Sequence, residues 1–354
     1  MRSVWLSITG LLFFSLAFAQ PDGRPEQKLL FPITVQDKGT GFIDQTGKIV
    51  IEPRFAGSMY GVNFSDGLAP VQIGQHWCYI DMTGKVVIKV ERARYAHAFT
   101  EGLGAIAVTT KGRGTPEEEV KWGFIDKKGK LVIEPQFDET YGFSEGLGRV
   151  VVNGKWGLID RQGKFVLEPQ LKGAYWFSEG FASVVLEDDR RVFVDHSGRI
   201  ASPPQYEYTD SWFREGLTPV GEGGKWGYIN TKWEIVVKPQ FDSVAQTFSD
   251  GLASVRIGDR WGVIDKTGKL ILEPTFAEPV TFSEGLARVQ IGGKSGYIDK
   301  TGKFVIEPQF EQAGDFRGGL AAVTTNPAVK YVSCCWHRWD YIDKTGKYVW
   351  KSPE

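Results

Sequence analysis

One short turn recurs nine times along this chain: GFIDQTG at Asp44, CYIDMTG at Asp81, GFIDKKG at Asp126, GLIDRQG at Asp160, VFVDHSG at Asp195, GYINTKW at Asn230, GVIDKTG at Asp265, GYIDKTG at Asp299 and DYIDKTG at Asp343. Successive anchors lie 34 to 37 residues apart, apart from two longer intervals of about 45. A fixed period of this size is the signature of a repeat array, because a unit so short cannot bury a core of its own and must lean on its neighbours. The 354 residues therefore read as one serial array and not as two or three separate globules.

Within one unit, Leu252–Ile257 alternates apolar and polar positions, Gly258-Asp259 turns the chain, Trp261–Asp265 runs back and Leu270–Leu272 departs again. Period-two alternation bounded by Gly and Asp is the strand and hairpin signal, so each unit is expected to be a three-stranded antiparallel meander, and helical spacing is nowhere sustained. In the Asp-x-x-Gly turn the carboxylate can accept from the backbone amide two residues on, while Gly tolerates a left-handed backbone. That gives each recurring aspartate a structural task and argues against catalysis. After the third strand comes Glu-Pro or its variants, at Glu52-Pro53, Glu134-Pro135, Glu168-Pro169, Lys238-Pro239, Glu273-Pro274 and Glu307-Pro308, with Pro203-Pro204 in the fifth copy. Proline lacks the amide donor and ends or edges a strand. The aromatic that follows it (Phe137, Tyr206, Phe241, Phe276, Phe310) can bury itself against the next unit, and a second turn, Phe-Ser-Glu-Gly-Leu and its variants at Phe143, Phe177, Phe213, Phe248 and Phe282, opens that unit.

Lys155-Trp156-Gly157 and Lys225-Trp226-Gly227, with the Asp or Asn turn and the Glu-Pro-Gln-Phe and Phe-Ser-Glu-Gly-Leu signatures or their variants, together resemble the bacterial WG (KWG) repeat. The resemblance covers about Leu29 to Trp350. It implies a repeat-bearing, often exported protein with a binding or scaffolding role, and it brings no catalytic residues with it. Departures from the pattern are Ser295 for Trp, Arg191 near a Trp position, Trp233 for the turn Gly, and Lys89 to Tyr95 without Pro. The expected fold is all-β: nine three-stranded meanders of about 35 residues in an open twisted β-solenoid, with a closed propeller-like ring as the alternative. Nine units of three strands lie outside the usual propeller of four to eight four-stranded blades, which favours the open form.

Residues 1–19 read as a signal peptide: Arg2, an apolar run from Val4 to Phe18, and Ala17-Phe18-Ala19 as a small-x-small cleavage site. Residues 20–28 form a polar lead-in and 29–354 the array, so the expected address is exported (periplasmic, cell surface or secreted), with no membrane span in the mature chain. Three cysteines are few for an exported chain, so disulfides do not organise the fold. A bridge from Cys78 to Cys334 or Cys335 would need the second and ninth repeats to touch, which only a ring allows. With 42 basic and 43 acidic residues, nothing builds the positive field that a nucleic-acid backbone demands.

No phosphate loop, zinc-protease helix or nucleophile elbow occurs, and the four histidines, His76, His97, His196 and His337, share no repeat position. Cys334-Cys335-Trp336-His337 lacks the second ligand pair that zinc spacing requires. The chain therefore reads as non-catalytic, with no cofactor and no metal. Its aromatic residues draw attention instead. Trp77, Trp122, Trp156, Trp226, Trp261 and Trp339 occupy the repeat position and are expected to pack between units. Tyr141, Trp176 and Trp212 stand beside the Phe-x-Glu-Gly turns of successive units and are the candidate binding edge, suited to a sugar face or to a partner's apolar strip. Extra residues in the third and ninth units, Thr109 to Val120 and Thr324 to Arg338, fall in the same hairpin and should emerge on one face. The expected partner is a protein or cell-envelope component, with a glycan as the alternative.

Overall fold

The computed structural model describes residues 29–56, 63–112, 114–115, 118–208, 212–245, 247–326 and 339–353. They form nine antiparallel sheets in chain order, spanning 31–55, 69–90, 93–137, 139–171, 173–194, 217–241, 243–276, 282–310 and 312–350, hereafter sheets 1 to 9. No helix occurs among the described residues, and none is therefore long and apolar enough to cross a membrane. Sheets 3, 4, 7, 8 and 9 carry four strands where three were expected. The additional strand is the segment leading into the Phe-Ser-Glu-Gly turn, for example Glu139–Ser144, which pairs with Leu147–Val152.

Cores lie between consecutive sheets. Leu103, Ala105, Ala107, Phe124 and Phe137 of sheet 3 interlock with Phe143, Val150 and Ile159 of sheet 4, while the opposite face of sheet 4, with Leu147, Leu158 and Leu171, packs on Ala174, Phe177 and Val184 of sheet 5. The same relation joins sheet 9 to sheet 1: Leu320, Ala322, Trp339 and Tyr341 pack on Phe31, Ile33 and Ile43. The Phe31 and Tyr341 rings meet edge-on at 5.7 Å, the Tyr341 hydroxyl donates to the Pro32 carbonyl at 2.8 Å, and Gln45 donates to the Gly318 carbonyl at 3.1 Å. The array is thus a closed ring, a nine-bladed β-propeller, and the expectation of an open solenoid is corrected. Closure leaves no end sheet with an uncovered apolar face, a cost that an open stack would bear twice. Cys78 is a free thiol buried between sheets 1 and 2, whereas Cys334, Cys335 and His337 lie outside the described residues.

The recurring aspartates behave as the turn chemistry predicts. Asp265 Oδ1 accepts from the Thr267 amide at 2.8 Å, the Thr267 hydroxyl at 2.6 Å and the Lys269 amide at 3.1 Å, and Asp44, Asp81, Asp299 and Asp343 repeat the pattern. These bonds, the threonine hydroxyl foremost, hold the carboxyls of Asp81, Asp265 and Asp299 below the usual carboxylate range.

A second link was not anticipated. In each Phe-Ser-Glu-Gly turn the acidic residue adopts a left-handed backbone, with φ of 49° at Glu145, 54° at Glu179 and 53° at Glu215. Its carboxylate then accepts from the glycine amide of the next sheet's turn: Glu145 from Gly180 at 2.9 Å, Glu179 from Gly216 at 2.8 Å and Glu215 from Gly251 at 3.0 Å. Asp66, Glu101, Asp250 and Glu284 do the same for Gly102, Gly146, Gly285 and Gly319. A basic residue of the next sheet's Asp turn reinforces the joint, as Lys266 does at Glu215 and Lys344 at Glu284. Gln45 makes the equivalent bond at the ring closure, where Gly318 stands in the acidic position and makes room for Leu29 and Phe31.

The glycine after the repeat tryptophan has a steric reason. A Cβ on Gly227 would stand 2.2 Å from the Val237 carbonyl oxygen and 2.7 Å from the Pro239 nitrogen; on Gly296 it would stand 2.6 Å from the Ile306 oxygen and 2.7 Å from the Pro308 nitrogen. The proline-bearing third strand bulges across this glycine, so that Trp226 pairs with Phe241 while Tyr228 pairs with Val237. Sheets without the glycine solve the crossing differently. Cys78 in sheet 2 faces a third strand with no proline and no bulge at that point. Val192 in sheet 5 faces a third strand reduced to a single bridge at Ile200, and Asp340 in sheet 9 accepts from the Ser352 amide at 2.8 Å. Near sheet 5 the gap is filled by Trp233, which takes a left-handed φ of 65° in place of the turn glycine and packs its ring on Phe181, Phe193 and Phe213.

Gly227→Ala should therefore cost about 1–3 kcal/mol through overpacking alone, read as a lowered urea midpoint, whereas Val192→Ala should cost about 2 kcal/mol through the methyl groups it removes from the core between sheets 4 and 5, with no overpacking.

Candidate functional site

Sheets 3, 4 and 5 share a local irregularity that aims side chains out of the sheet plane. In their opening strands, Ala96 pairs with Ile106 and Phe99 with Gly104, Thr140 with Val150 and Phe143 with Gly148, and Ala174 with Val184 and Phe177 with Ala182. Two residues thus stand opposite one in each sheet: His97-Ala98 against Ala105, Tyr141-Gly142 against Arg149, and Tyr175-Trp176 against Ser183. Such bulges re-aim side chains. Register also separates the candidate residues: Tyr141 is equivalent to His97 and Tyr175, whereas Trp176 is equivalent to Trp212.

The result is a band of rings across three blades. Tyr95 stacks on Trp122 at 6.4 Å, His97 lies 4.4 Å from Trp122 and 6.5 Å from Tyr141, and Tyr141 stacks on Trp156 at 5.6 Å with planes 24° apart. Its far end is Arg149. This residue is 3% exposed, and its guanidinium lies 5.5 Å from the Tyr141 ring, 5.9 Å from Trp156 and 4.1 Å from Trp176, donating through Nη1 to the Ala174 carbonyl at 2.7 Å. Nε and Nη2 find no hydrogen-bond partner among the described residues. Ring faces thus provide much of the guanidinium's contact surface, and a desolvated cation–π contact of this kind contributes about 2 kcal/mol. Burial pulls the guanidinium down to about 9, which leaves it charged at neutral pH.

Of the three expected binding residues, Tyr141 and Trp176 meet around Arg149 and are half-buried. Trp212 is also half-buried, and no ring contact joins it to them among the described residues. Stacking on Trp156 and contact with Arg149 occupy the faces of Tyr141 that a sugar would need, which leaves the half-buried Trp176 and Trp212 as the remaining candidates. The repeat-position tryptophans divide. Trp77, Trp122 and Trp339 are buried, Trp77 donating through Nε1 to the Arg94 carbonyl of the next sheet at 2.8 Å, whereas Trp156, Trp226 and Trp261 are half-buried. The longer hairpin of sheet 3, Leu103–Lys111 and Glu119–Asp126, rises at the other end of the band, where Glu118 lies 3.5 Å from Arg94 and accepts from Thr109 at 2.7 Å. The insertion of sheet 9 lies largely outside the described residues.

Arg149 and His97 were not anticipated. Arg149 occupies the position after Gly-Leu-x (Gly-Phe-x in one unit) that other units fill with Pro70, Ala105, Ser183, Pro219, Ser254 or Ala322 and one with Arg288, so a charge in a mostly small or apolar position was the available signal. Chemically the band offers flat apolar area with a buried positive charge behind it. Among the described residues, no group of three or more His, Cys, Asp or Glu is placed to hold a metal.

The family described as "WG containing repeat" matches at residues 41–77, 122–156, 156–188, 193–226, 226–261, 261–294 and 296–326, together more than half of the chain. The chain belongs to the WG-repeat family. No curated protein matches it in sequence. Among solved structures it is similar to a eukaryotic initiation factor at 12% identity and a TM-score of 0.60, covering 92% of this chain and 95% of that one. It is also matched to BamB from Moraxella catarrhalis, at 10% identity and a TM-score of 0.42, over 74% of this chain and 92% of that one. At such identity the first likeness speaks for the fold alone.

His97 supplies a pH test of the band's packing. Burial against Trp122 and Tyr141 lowers its pKa to about 4, against about 6.5 once unfolding exposes it. Between these values the unfolded chain binds a proton that the folded chain does not. Stability is thus full above pH about 6.5, falls as the pH drops toward 4, and stays lower beneath, by about 1–3 kcal/mol. Urea titrations at pH 7 and pH 4.5 should show this loss in the wild type and a smaller one in His97→Gln; equal losses in both would exclude His97 as its source.

Proposed function

We propose that this WG-repeat propeller is a non-catalytic binding or scaffold protein, exported to the periplasm, cell surface or medium, that engages a protein or cell-envelope component through the surface of its blades. The aromatic band ending at Arg149 and Trp176 carries the reading. It is a pre-formed strip of rings, half-buried apart from the buried Trp122, on paired strands and held in place by a buried cation, which suits it to an extended surface on a partner. Aromatic and arginine residues are enriched at the centres of protein interfaces because they offer large contact area at low conformational cost. Export is supported by the Met1–Ala19 pattern of a positive start, an apolar run and a small-x-small site. The non-catalytic reading rests on the absence from the sequence of the catalytic motifs sought there.

A glycan-binding role is the second reading, favoured by the half-buried Trp176 and Trp212, which stand at equivalent positions in adjacent repeats. Aromatic platforms of this kind receive the apolar face of a sugar ring.

The two readings separate experimentally. With residues 20–354 as bait on solubilised envelope proteins, a protein partner should be retained by the wild type and lost from Trp176→Ala and from Trp176→Ala/Trp212→Ala, which loss of the Trp176–Arg149 contact should destabilise by about 2 kcal/mol and which are therefore assayed well below their unfolding midpoints. In the glycan case, a panel of oligosaccharides should instead shift the tryptophan fluorescence of the wild type and leave the double variant unmoved. Equal retention of protein by wild type and both variants, together with a silent glycan panel, would remove the aromatic band from the function.

A further inference from the structure

Ser254 and Arg149 occupy the same repeat position and make the same link to the unit that follows. The Ser254 hydroxyl donates to the Val280 carbonyl at 2.6 Å, as Arg149 donates through Nη1 to the Ala174 carbonyl at 2.7 Å. One donor is enough for that task. Arg149 brings a further pair, Nε and Nη2, which share one edge of the guanidinium, the fork that meets both oxygens of a carboxylate in parallel hydrogen bonds. Neither has a hydrogen-bond partner, and the titratable groups that act on the guanidinium are the phenols of Tyr141 and Tyr175. An ionised group buried without a counter-ion is costly, and an apolar side chain of similar volume in its place is often neutral or stabilising, so stability alone does not call for an arginine here.

We propose that the Nε–Nη2 edge of Arg149, in the seam between sheets 4 and 5, receives the carboxylate of an acidic side chain on a protein partner, an inference that rests on the protein-binding reading above. Folding has already taken the guanidinium out of water. A carboxylate that reaches it therefore forms charge-assisted bonds in a low dielectric with no further desolvation of the cation. Both nitrogens are buried, so the carboxylate enters as a cover moves aside. Trp176 is that cover: it is half-buried, its ring centroid lies 4.1 Å from the guanidinium carbon, and it belongs to the bulge Tyr175-Trp176 opposite Ser183, where the strand ladder is interrupted. A Glu or Asp side chain carries its carboxylate on a slender methylene stem that fits between two sheets. A sugar acid carries it directly on a bulky ring, which favours a peptide over an acidic glycan.

Proton–nitrogen spectra of isotope-labelled residues 20–354 test the inference, with propionate standing in for a glutamate side chain, propionamide as its neutral counterpart, glucuronate for sugar acids and sulfate for a tetrahedral anion. The Arg149 Nε–H signal is expected upfield, under the Trp176 ring current, and is absent from Arg149→Lys. Millimolar propionate should move it downfield and change the tryptophan fluorescence, while the other three leave both in place. Arg149→Lys keeps the charge and loses the fork, and should bind propionate about tenfold more weakly by fluorescence. The wild-type spectra carry the test even should that variant fail to fold. An unmoved signal with propionate, or a response to propionamide, glucuronate or sulfate as large as that to propionate, would overturn the inference. Retention of an envelope protein by a chain that ignores propionate would leave the protein-binding reading standing and remove this one. Propionate binding with no envelope protein retained would instead remove the protein partner, and with it the assignment of the carboxylate to a partner's side chain.

Discussion

A sheet of three or four short strands has two apolar faces and no means of covering either alone. Everything else in this propeller answers that constraint. Each face is given to one neighbour, as sheet 4 gives Phe143, Val150 and Ile159 to sheet 3 and Leu147, Leu158 and Leu171 to sheet 5. The relation is transitive, so a chain of nine such sheets either ends in two exposed faces or returns to its start. The return is made by Phe31, Ile33 and Ile43 against Leu320, Ala322 and Tyr341, residues from the two ends of the described chain.

Turn chemistry holds the sheets at a fixed angle. Glu145, Glu179 and Glu215 hold a left-handed backbone that costs a non-glycine residue of order 1–3 kcal/mol. A glycine would avoid that cost but could not reach the next sheet. The carboxylate-to-amide bond returns about 1.5–3 kcal/mol, less where solvent reaches it, so the energies roughly cancel. What remains is orientation. Each turn fixes where the next begins, and at the 9/1 joint, where Gly318 has no carboxylate, side-chain packing and the Gln45 bond take over.

Much of the fold was legible because its determinants are local. The period, the Asp-x-x-Gly turns and the strand alternation each depend on a few adjacent residues, and the structure has them where the sequence places them. The fourth strand was not legible where its pairing residues are few, as at Ser243-Val244, Phe282-Ser283 and Gln312-Ala313, and in Ala93–Thr100 and Glu139–Ser144 a bulge breaks the alternation that marks a strand. Closure was not legible for a different reason. It depends on how small rotations between neighbours accumulate over nine joints, and no single joint reveals the sum. The aromatic band falls between these cases. Tyr141 and Trp176 stand out by composition, yet their meeting depends on a bulge and on Arg149 reaching across from sheet 4 to the Ala174 carbonyl of sheet 5.

Arg149 also shows why a repeat position cannot be read from its consensus. Arg288 occupies the same place in sheet 8, but there it is exposed, and Asp315 stands where sheet 5 has Trp176. Asp315 is exposed as well; desolvation raises its carboxyl, while the attraction of Arg288 lowers it. The exposed Arg288 thus has only electrostatic attraction to a carboxylate on the next blade where the buried Arg149 has ring faces and a carbonyl. An arginine from one sheet with an electron-rich partner on the next is a workable joint in either form, because guanidinium accepts flat rings and carboxylates alike. Only the ring version leaves apolar area at the surface, and that difference sets the seam between sheets 4 and 5 apart from the seam between sheets 8 and 9.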